Sequence, residues 1–235
     1  METNFYNFDF GLNKKIRAVM VSDLHGEGFA KLLTKINELS PDVILCPGDI
    51  LHKADVDDNG LEFLRETSKA YPVFMALGNH EVKHGGDLKA EITKTGVTLL
   101  DGRFVEFEGL LIGGLGTGYE PNANQSRWKM PPRPDIEALD EFFKSKKPKI
   151  LLSHHPEYFE KYLSEKNCNL ILSGHAHGGQ WRIFGRGIFA PGQGIFPKYT
   201  SGLYHSRLLV GRGLSNKTHV PRIFNKKELI VIDLE

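Results

Sequence analysis

The sequence predicts an α/β fold in which a parallel or mixed sheet is covered by helices, and three observations carry that prediction. Short apolar runs alternate with helically spaced ones through the first half of the chain. The second half is richer in strand-like runs separated by Asp-Gly and Glu-Gly turns. Residues with metal-ligand chemistry fall directly after the strand-like runs rather than inside them.

Taken in order, Arg17 to Ser22 reads as a buried strand ended by Asp23, and Phe29 to Leu39 as a helix with Leu32, Leu33, Ile36 and Leu39 on its apolar side. Val43 to Cys46 is a strand stopped by Pro47-Gly48, and Leu61 to Ala70 is a helix. Val73 to Leu77 is a strand stopped by Gly78, and Leu88 to Thr95 is a helix with Gly96 as its C-cap. Val97 to Leu100, Phe104 to Phe107 and Leu110 to Gly114 are short strands. Glu120 to Pro134 is polar, holds four prolines and reads as a surface loop, and Ile136 to Lys146 as a helix. Strands follow at Ile150 to Ser153 and Leu170 to Ser173, with a helix over Glu157 to Lys166 between them. Leu208 to Val210 and Leu229 to Ile232 close the pattern. No repeat, low-complexity tract or linker interrupts it, so residues 1–235 read as one domain.

Composition narrows the function classes. Hydrophobic residues at 40% and charged residues at 25% suit a soluble globular protein with a real core. A formal charge of +1 sets up no global field toward nucleic acid or an anionic membrane, so an anionic substrate would be drawn locally. The chain carries no strong nucleic-acid signature, which argues against a processive nuclease. Cys46 sits in the apolar run Val43-Ile44-Leu45-Cys46 and reads as a small buried hydrophobe; with Cys168 as its one companion, a reducing compartment is expected. Met1 to Leu12 has no basic segment followed by an apolar stretch, and no apolar run approaches membrane-spanning length. A cytoplasmic location is the expectation.

The chemistry-bearing residues follow five strand-like runs: Asp23 and His25, Asp49, Asn79 and His80, His154, then His175 and His177. Carboxyl ends of strands share one rim in an α/β sheet, so residues distant in sequence can converge there. Alone, each is weak. Asp-x-His can be a helix cap, Gly-Asp a turn, Gly-Asn-His-Glu a solvated loop, and His175 with His177 a satisfied polar pair. Seven oxygen and imidazole donors in five such places are hard to explain as turns.

The ordered set Asp23-Leu24-His25, Gly48-Asp49, Gly78-Asn79-His80-Glu81, His154 and Gly174-His175-Ala176-His177 resembles the calcineurin-like metallophosphoesterase family. The resemblance runs from about Ile16 to the end. The later segments Gly178-Gly179-Gln180, Lys198 to Tyr204 and Arg212-Gly213-Leu214 resemble a bacterial subgroup of cell-envelope phosphoesterases and UDP-2,3-diacylglucosamine hydrolases. The family resemblance implies a four-layer αββα sandwich of two mixed sheets flanked by helices. It implies one metal on Asp23, His25, Asp49 and His177, and another on Asp49, Asn79, His154 and His175, with Asp49 bridging.

The Asp, Asn and His mixture suits two divalent or trivalent ions such as Mn, Fe, Zn or Co better than Ca or Mg. The expected reaction is hydrolysis of phosphate mono- or diesters, or of the pyrophosphate bond of a lipid precursor, by a metal-bridged hydroxide, with His80 as general acid. The family often has an Asp three residues after the bridging Asp; here that position is His52, so the orienting role passes to Asp55 or is missing. His155 reads equally as a phosphate contact or a solvated strand-end residue, and Glu81 as loop support. His84, His205 and His219 read as surface or core residues, and Lys198 and Arg212 either as cations that could meet a substrate anion or, as most isolated basic residues do, as side chains that face water. Trp181 to Tyr204, rich in Gly, Pro and aromatics, reads either as a substrate-side wall or as an ordered loop packed on the core, the second slightly ahead.

The expected partner is a small-molecule or lipid-linked phosphoester, with room for peripheral membrane contact. Envelope-precursor and nucleotide substrates both stay open. The rival classes are a non-catalytic scaffold of the same fold and a structural metal protein.

Overall fold

The structure is a computed structural model describing residues 1–52, 59–84, 88–120, 130–216 and 220–235. The strands are β1 (Glu2–Phe8), β2 (Ile16–Met20), β3 (Val43–Cys46), β4 (Val73–Met75), β5 (Thr98–Leu99), β6 (Arg103–Phe107), β7 (Leu110–Leu115), β8 (Lys149–Ser153) and β9 (Leu170–Ser173). Four two-residue strands follow, β10 (Arg182–Ile183), β11 (Arg186–Gly187), β12 (Phe189–Ala190) and β13 (Gly194–Ile195), then β14 (Gly202–Tyr204), β15 (Leu208–Val210) and β16 (Glu228–Leu234). The α-helices are α1 (Ala30–Leu39), α2 (Asn59–Ser68), α3 (Asn79–His84), α4 (Leu88–Lys94) and α5 (Asp140–Lys144).

One six-stranded sheet runs β1-β16-β2-β3-β4-β5 and the other β14-β15-β9-β8-β7-β6. In the first, β2 to β5 are parallel and β16 lies antiparallel to β2; in the second, β15, β9, β8 and β7 are parallel and both edge strands are antiparallel. Both sheets are therefore mixed.

Why these strands read as unbroken apolar runs is clear from the three apolar interfaces. Strand periodicity sends alternate residues to opposite faces. Val19, Ile44 and Met75 face one way, into a core with Leu32, Ile36 and Leu64 of α1 and α2. Ala18, Leu45 and Phe74 face the other way, against Ile112, Leu152 and Leu172 of the second sheet. The outer face of that sheet, through Leu151 and Ile171, meets Phe142, Phe159 and Leu163. Every inner strand is buried on both faces, so alternation of polar and apolar residues disappears. The layers are helix, sheet, sheet, helix, as the family resemblance implies.

Several elements differ from the sequence reading, among them α3 and the short strands β10 to β14, which were not expected. β1 was not expected, because it is an edge strand with Asn4 and Asn7 among its aromatics and Phe5 exposed; Tyr6 and Phe8 nevertheless pack on the central core. The helix expected over Glu157 to Lys166 is a π-helical turn, Phe159–Leu163, closed by Ser164 N–H donating to Phe159 O at 2.7 Å. The helix expected over Ile136 to Lys146 is a 3₁₀ turn, Glu137–Leu139, running into α5. The expected loop at Glu120 to Pro134 and the residue Asp55 fall wholly or partly outside the described residues, as does His219, and with them the side chain of His84.

Candidate metal centre

The five expected strand ends belong to two sheets rather than one. Asp23, Asp49 and Asn79 follow β2, β3 and β4 of the first sheet; His154 and His175 follow β8 and β9 of the second. They converge because the sheets pack face to face. Across the seam, His175 N–H donates to Asp23 Oδ1 at 2.9 Å. His154 Nε2 lies 3.1 Å from Asp49 Oδ2, and His177 Nε2 lies 3.6 Å from Asp23 Oδ1.

Among the described residues, four groups offer ligand atoms all within 4.8 Å of one another: Asp23, His25 and His177; His25, Asp49 and His80; Asp49, His154 and His175; and His155, Glu157 and His175. Asn79 is buried, and its Oδ1 has no hydrogen-bond partner.

The backbone beneath these side chains is unusual. Asp23, His25, Asp49, His175 and His177 have φ of 51°, 48°, 54°, 65° and 47°. That left-handed region costs an ordinary residue about 1–2 kcal/mol, and such outliers gather at functional sites. Gly78 is required by close approach, since a Cβ there would come within 2.1 Å of Asp49 Oδ1. Glu81, buried one turn into α3, ties the loops together. Its carboxylate accepts from Gly78 N at 2.8 Å and from Asp49 N and Leu51 N, each at 2.9 Å.

Electrostatics at the seam are those of a charged pair among neutral rings. Burial opposes charge on Asp49, but the imidazoles around it, His154 foremost, hold its carboxyl well below its ordinary range. Burial would lower His154 too, yet Asp49 overrides it and raises the ring to about 9. Burial keeps His25, His155, His175 and His177 neutral by pushing each below the ordinary imidazole value. Glu81 rises to about 7 through burial and the neighbouring Asp49.

The Calcineurin-like phosphoesterase family model matches residues 16–179. The chain belongs to this family. A metallophosphoesterase of Campylobacter jejuni, Cj0846, is 30% identical over 95% of this chain, which spans 60% of that relative's length. The UDP-2,3-diacylglucosamine pyrophosphatase LpxG of Chlamydia muridarum is 27% identical over 92% of this chain and 83% of its own. A solved structure, TT1561 of Thermus thermophilus, covers 68% of this chain and 82% of its own at 17% identity and a TM-score of 0.47.

Phosphoesterases of this family imply divalent metal ions, and the residues present fit them. Asp23 Oδ2 and Asn79 Oδ1 are buried with no hydrogen-bond partner, a cost that a cation would remove. The Nε2 atoms of His25 and His177 stand 3.2 Å apart. That is close to the roughly 3.3 Å edge of a tetrahedron with metal–nitrogen bonds of about 2.0–2.1 Å. The donor set of imidazole nitrogens and carboxylate or amide oxygens suits borderline metals.

Other residues of the chain depart from the sequence reading. His155 is buried, 1% exposed, and so is not a solvated strand-end residue; its Nδ1 lies 3.9 Å from Glu157 Oε2. Arg212 is taken up by Glu2 and Glu228, and Lys198 by Glu160, so neither stands ready for a substrate anion. His205 is exposed and stacked on Phe159. His52, which stands where the family often has an orienting Asp, lies 5.1 Å from His80, ring centre to ring centre.

Two site residues escaped the sequence reading. Arg222 Nη2 lies 3.4 Å from His177 Nδ1, with its Nη1 buried and unpartnered, and burial lowers the guanidinium to about 10. Glu157 is buried with its Oε1 4.0 Å from His175 Nε2, and burial raises its carboxyl to about 8. Pro156 beside Glu157 and Pro221 beside Arg222 were the local signals, but neither residue stands directly after an apolar strand. The aromatic segment divides: Tyr199 is buried in the outer core as expected, whereas Phe184 and Phe196 point into solvent.

Proposed function

We propose that this chain is a two-metal hydrolase of phosphate mono- or diesters, with one ion on Asp23, His25, Asp49 and His177 and the other on Asp49, Asn79, His154 and His175. The observation that supports this most is the position of Asp49. Its Oδ2 lies 3.8 Å from His25 Nε2 and 3.1 Å from His154 Nε2, so one buried carboxylate faces both halves of the donor set. A shared carboxylate screens two cations from each other.

When bound, the ions supply an activated water and neutralise the phosphoryl oxygens. The protein does the rest. Neutral His25, His175 and His177 offer lone pairs without first losing a proton, whereas His154 has to give one up. Arg222 supplies a cation whose unpartnered Nη1 can hold a phosphoryl oxygen. As the P–O bond to the leaving group breaks, that oxygen needs a proton, and His80 is our candidate to give it.

His80 is held by its own N–H, which donates to Asp49 Oδ1 at 2.8 Å. Burial lowers its ring to about 4, despite the opposing pull of Asp49. At neutral pH its ring is therefore neutral in the metal-free fold, and it can act as general acid only after taking up a proton from solvent, which an anionic substrate beside it would favour.

A lipid-linked pyrophosphate is the favoured substrate class, because the LpxG relative is named for one and aligns over most of both chains. The rival scaffold reading predicts weak or no metal binding. The deciding experiment loads the purified protein with Mn, measures bound metal, and compares an aryl monoester, an aryl diester and UDP-2,3-diacylglucosamine. Turnover of at least one with metal bound, and none after chelation, is expected. Full metal loading without turnover of any ester would sink the proposal. His80→Ala should retain metal and slow esters with poor leaving groups by about 10²–10⁴-fold; loss of metal would make His80 a ligand instead.

A further inference from the structure

Three turn residues next to the metal rim break the usual preferences of turns. Phe184, Phe196 and Phe224 adopt left-handed backbone conformations, with φ of 48°, 54° and 51°. They are also 101%, 78% and 87% exposed. Phe184 and Gly185 (φ 78°) form the two-residue loop between β10 and β11. A two-residue hairpin loop with both φ values positive favours Asn-Gly. A phenylalanine there carries backbone strain and gains no packing within the fold.

The three tips belong to one platform. Arg182 N–H donates to Ile223 O at 3.0 Å, which joins the Phe224 loop to the β10–β11 hairpin. Phe196 N–H donates to Ile188 O at 2.8 Å, which joins the third tip on the other side. Ile183 and Ile195 are 55% and 67% exposed on the same hairpins. The platform also adjoins the metal rim, because Trp181 follows His177 by four residues and Arg222 immediately precedes Ile223.

Charge accompanies the exposed rings. Residues 178–227 contain nine Lys and Arg and no Asp or Glu, while the rest of the chain holds 21 Lys and Arg against 29 Asp and Glu. The net charge of +1 conceals this polarity. Glu160, Glu27 and Glu2 neutralise Lys198, Lys227 and Lys226. Arg182 instead donates to the carbonyl oxygens of Gly178 and Gly185, so its charge has no carboxylate partner among the described residues. Arg186 is exposed at the same hairpin.

We propose that Phe184, Phe196 and Phe224 form a docking platform for an anionic lipid bilayer, inserting their rings at the headgroup boundary while Arg182 and Arg186 meet lipid phosphates. Protruding single rings on separate turns suit a fluid interface, where aromatic side chains sit at headgroup level. A protein partner would call for a groove or a flat complementary surface. The platform would set the metal rim against the membrane, but the proposal does not depend on the two-metal reading and is tested without catalysis.

The test is flotation of the full chain with phosphatidylcholine vesicles, with and without phosphatidylglycerol. Wild type should float with the anionic vesicles. The triple variant Phe184→Asn/Phe196→Asn/Phe224→Asn should partition about 10²-fold more weakly or worse. Asn is at ease in the left-handed region, so the variant should melt at or above the wild-type temperature, and loss of binding would not reflect misfolding. Turnover of a water-soluble aryl ester, if wild type shows any, should be unchanged. No flotation of wild type, or equal flotation of the variant, overturns the proposal. So does light scattering that finds a wild-type dimer and a monomeric variant in the absence of lipid, since the rings would then cover a second copy of the chain.

Discussion

The metal rim and the aromatic platform both hold side-chain-bearing residues in the left-handed region, under opposite circumstances. At the rim the residues are Asp23, His25, Asp49, His175 and His177, all buried. Their strain is fixed by surrounding structure: loop-to-loop hydrogen bonds such as His25 N to Asp49 O at 3.1 Å, the Glu81 carboxylate beneath, and glycines that leave room. At the platform Phe184 sits in a hairpin loop and Phe196 and Phe224 at bends, all three with their rings in water. The packed fold imposes the first kind of strain. The second kind has no such cause inside the molecule, which directs attention to something outside it.

Substitutions that separate the side chain from the backbone should pull the two regions apart. The largest effect is expected at Asp49. Asn tolerates the same φ, so Asp49→Asn keeps the loop and removes the shared charge. Metal content should fall, and kcat/KM should drop by roughly 10²–10³-fold, the scale seen when a preorganised electrostatic group is removed. Unchanged metal content by elemental analysis would break the contrast, because the strain at the rim would then serve no ligand.

A smaller effect belongs to pH. His154 is raised above its unfolded value, so its proton stabilises the metal-free fold fully below about pH 6.5, and that contribution is lost as pH climbs through about 9. The raised Glu157 carboxyl acts in the same direction up to about 8. Metal-free protein should therefore melt at progressively lower temperature across that window. Metal affinity should rise with pH as the His154 proton becomes easier to displace. Melting curves with and without Mn check both, and a flat metal-free profile from pH 6.5 to 9 contradicts the Asp49–His154 pairing. The smallest effect is at a single tip. Phe184→Asn restores the Asn-Gly pair its turn favours and should raise stability by about 1 kcal/mol, the reverse of what any substitution at Asp49 should do.

Most of the rim was legible in the sequence because each ligand-type residue directly follows an apolar strand. Val43–Cys46 and Leu170–Ser173 match their observed bounds, and Asp49 and His175 stand a few residues beyond them. What the strand pattern could not reveal was pairing between sheets. Nothing in the residues alone says that Asp49 and His154 come from different layers. Arg222 and Glu157 were illegible for a related reason: they reach the site from a loop and from a turn beside a π-helical segment, where no periodicity marks a direction. Glu81 was read as loop support, and its three backbone hydrogen bonds agree. The charge polarity of the chain was present in the letters but was lost in the total.

One topological detail has a kinetic consequence. β16 lies between β1 and β2, with Glu2 opposite Glu228 and Met20 opposite Ile230. During synthesis the slot between β1 and β2 stays empty until residues 228–234 leave the ribosome. Until then the chain exposes unpaired backbone on both sides of that slot. Closure over so long a separation is slow, so nascent or refolding protein should depend on chaperone cover.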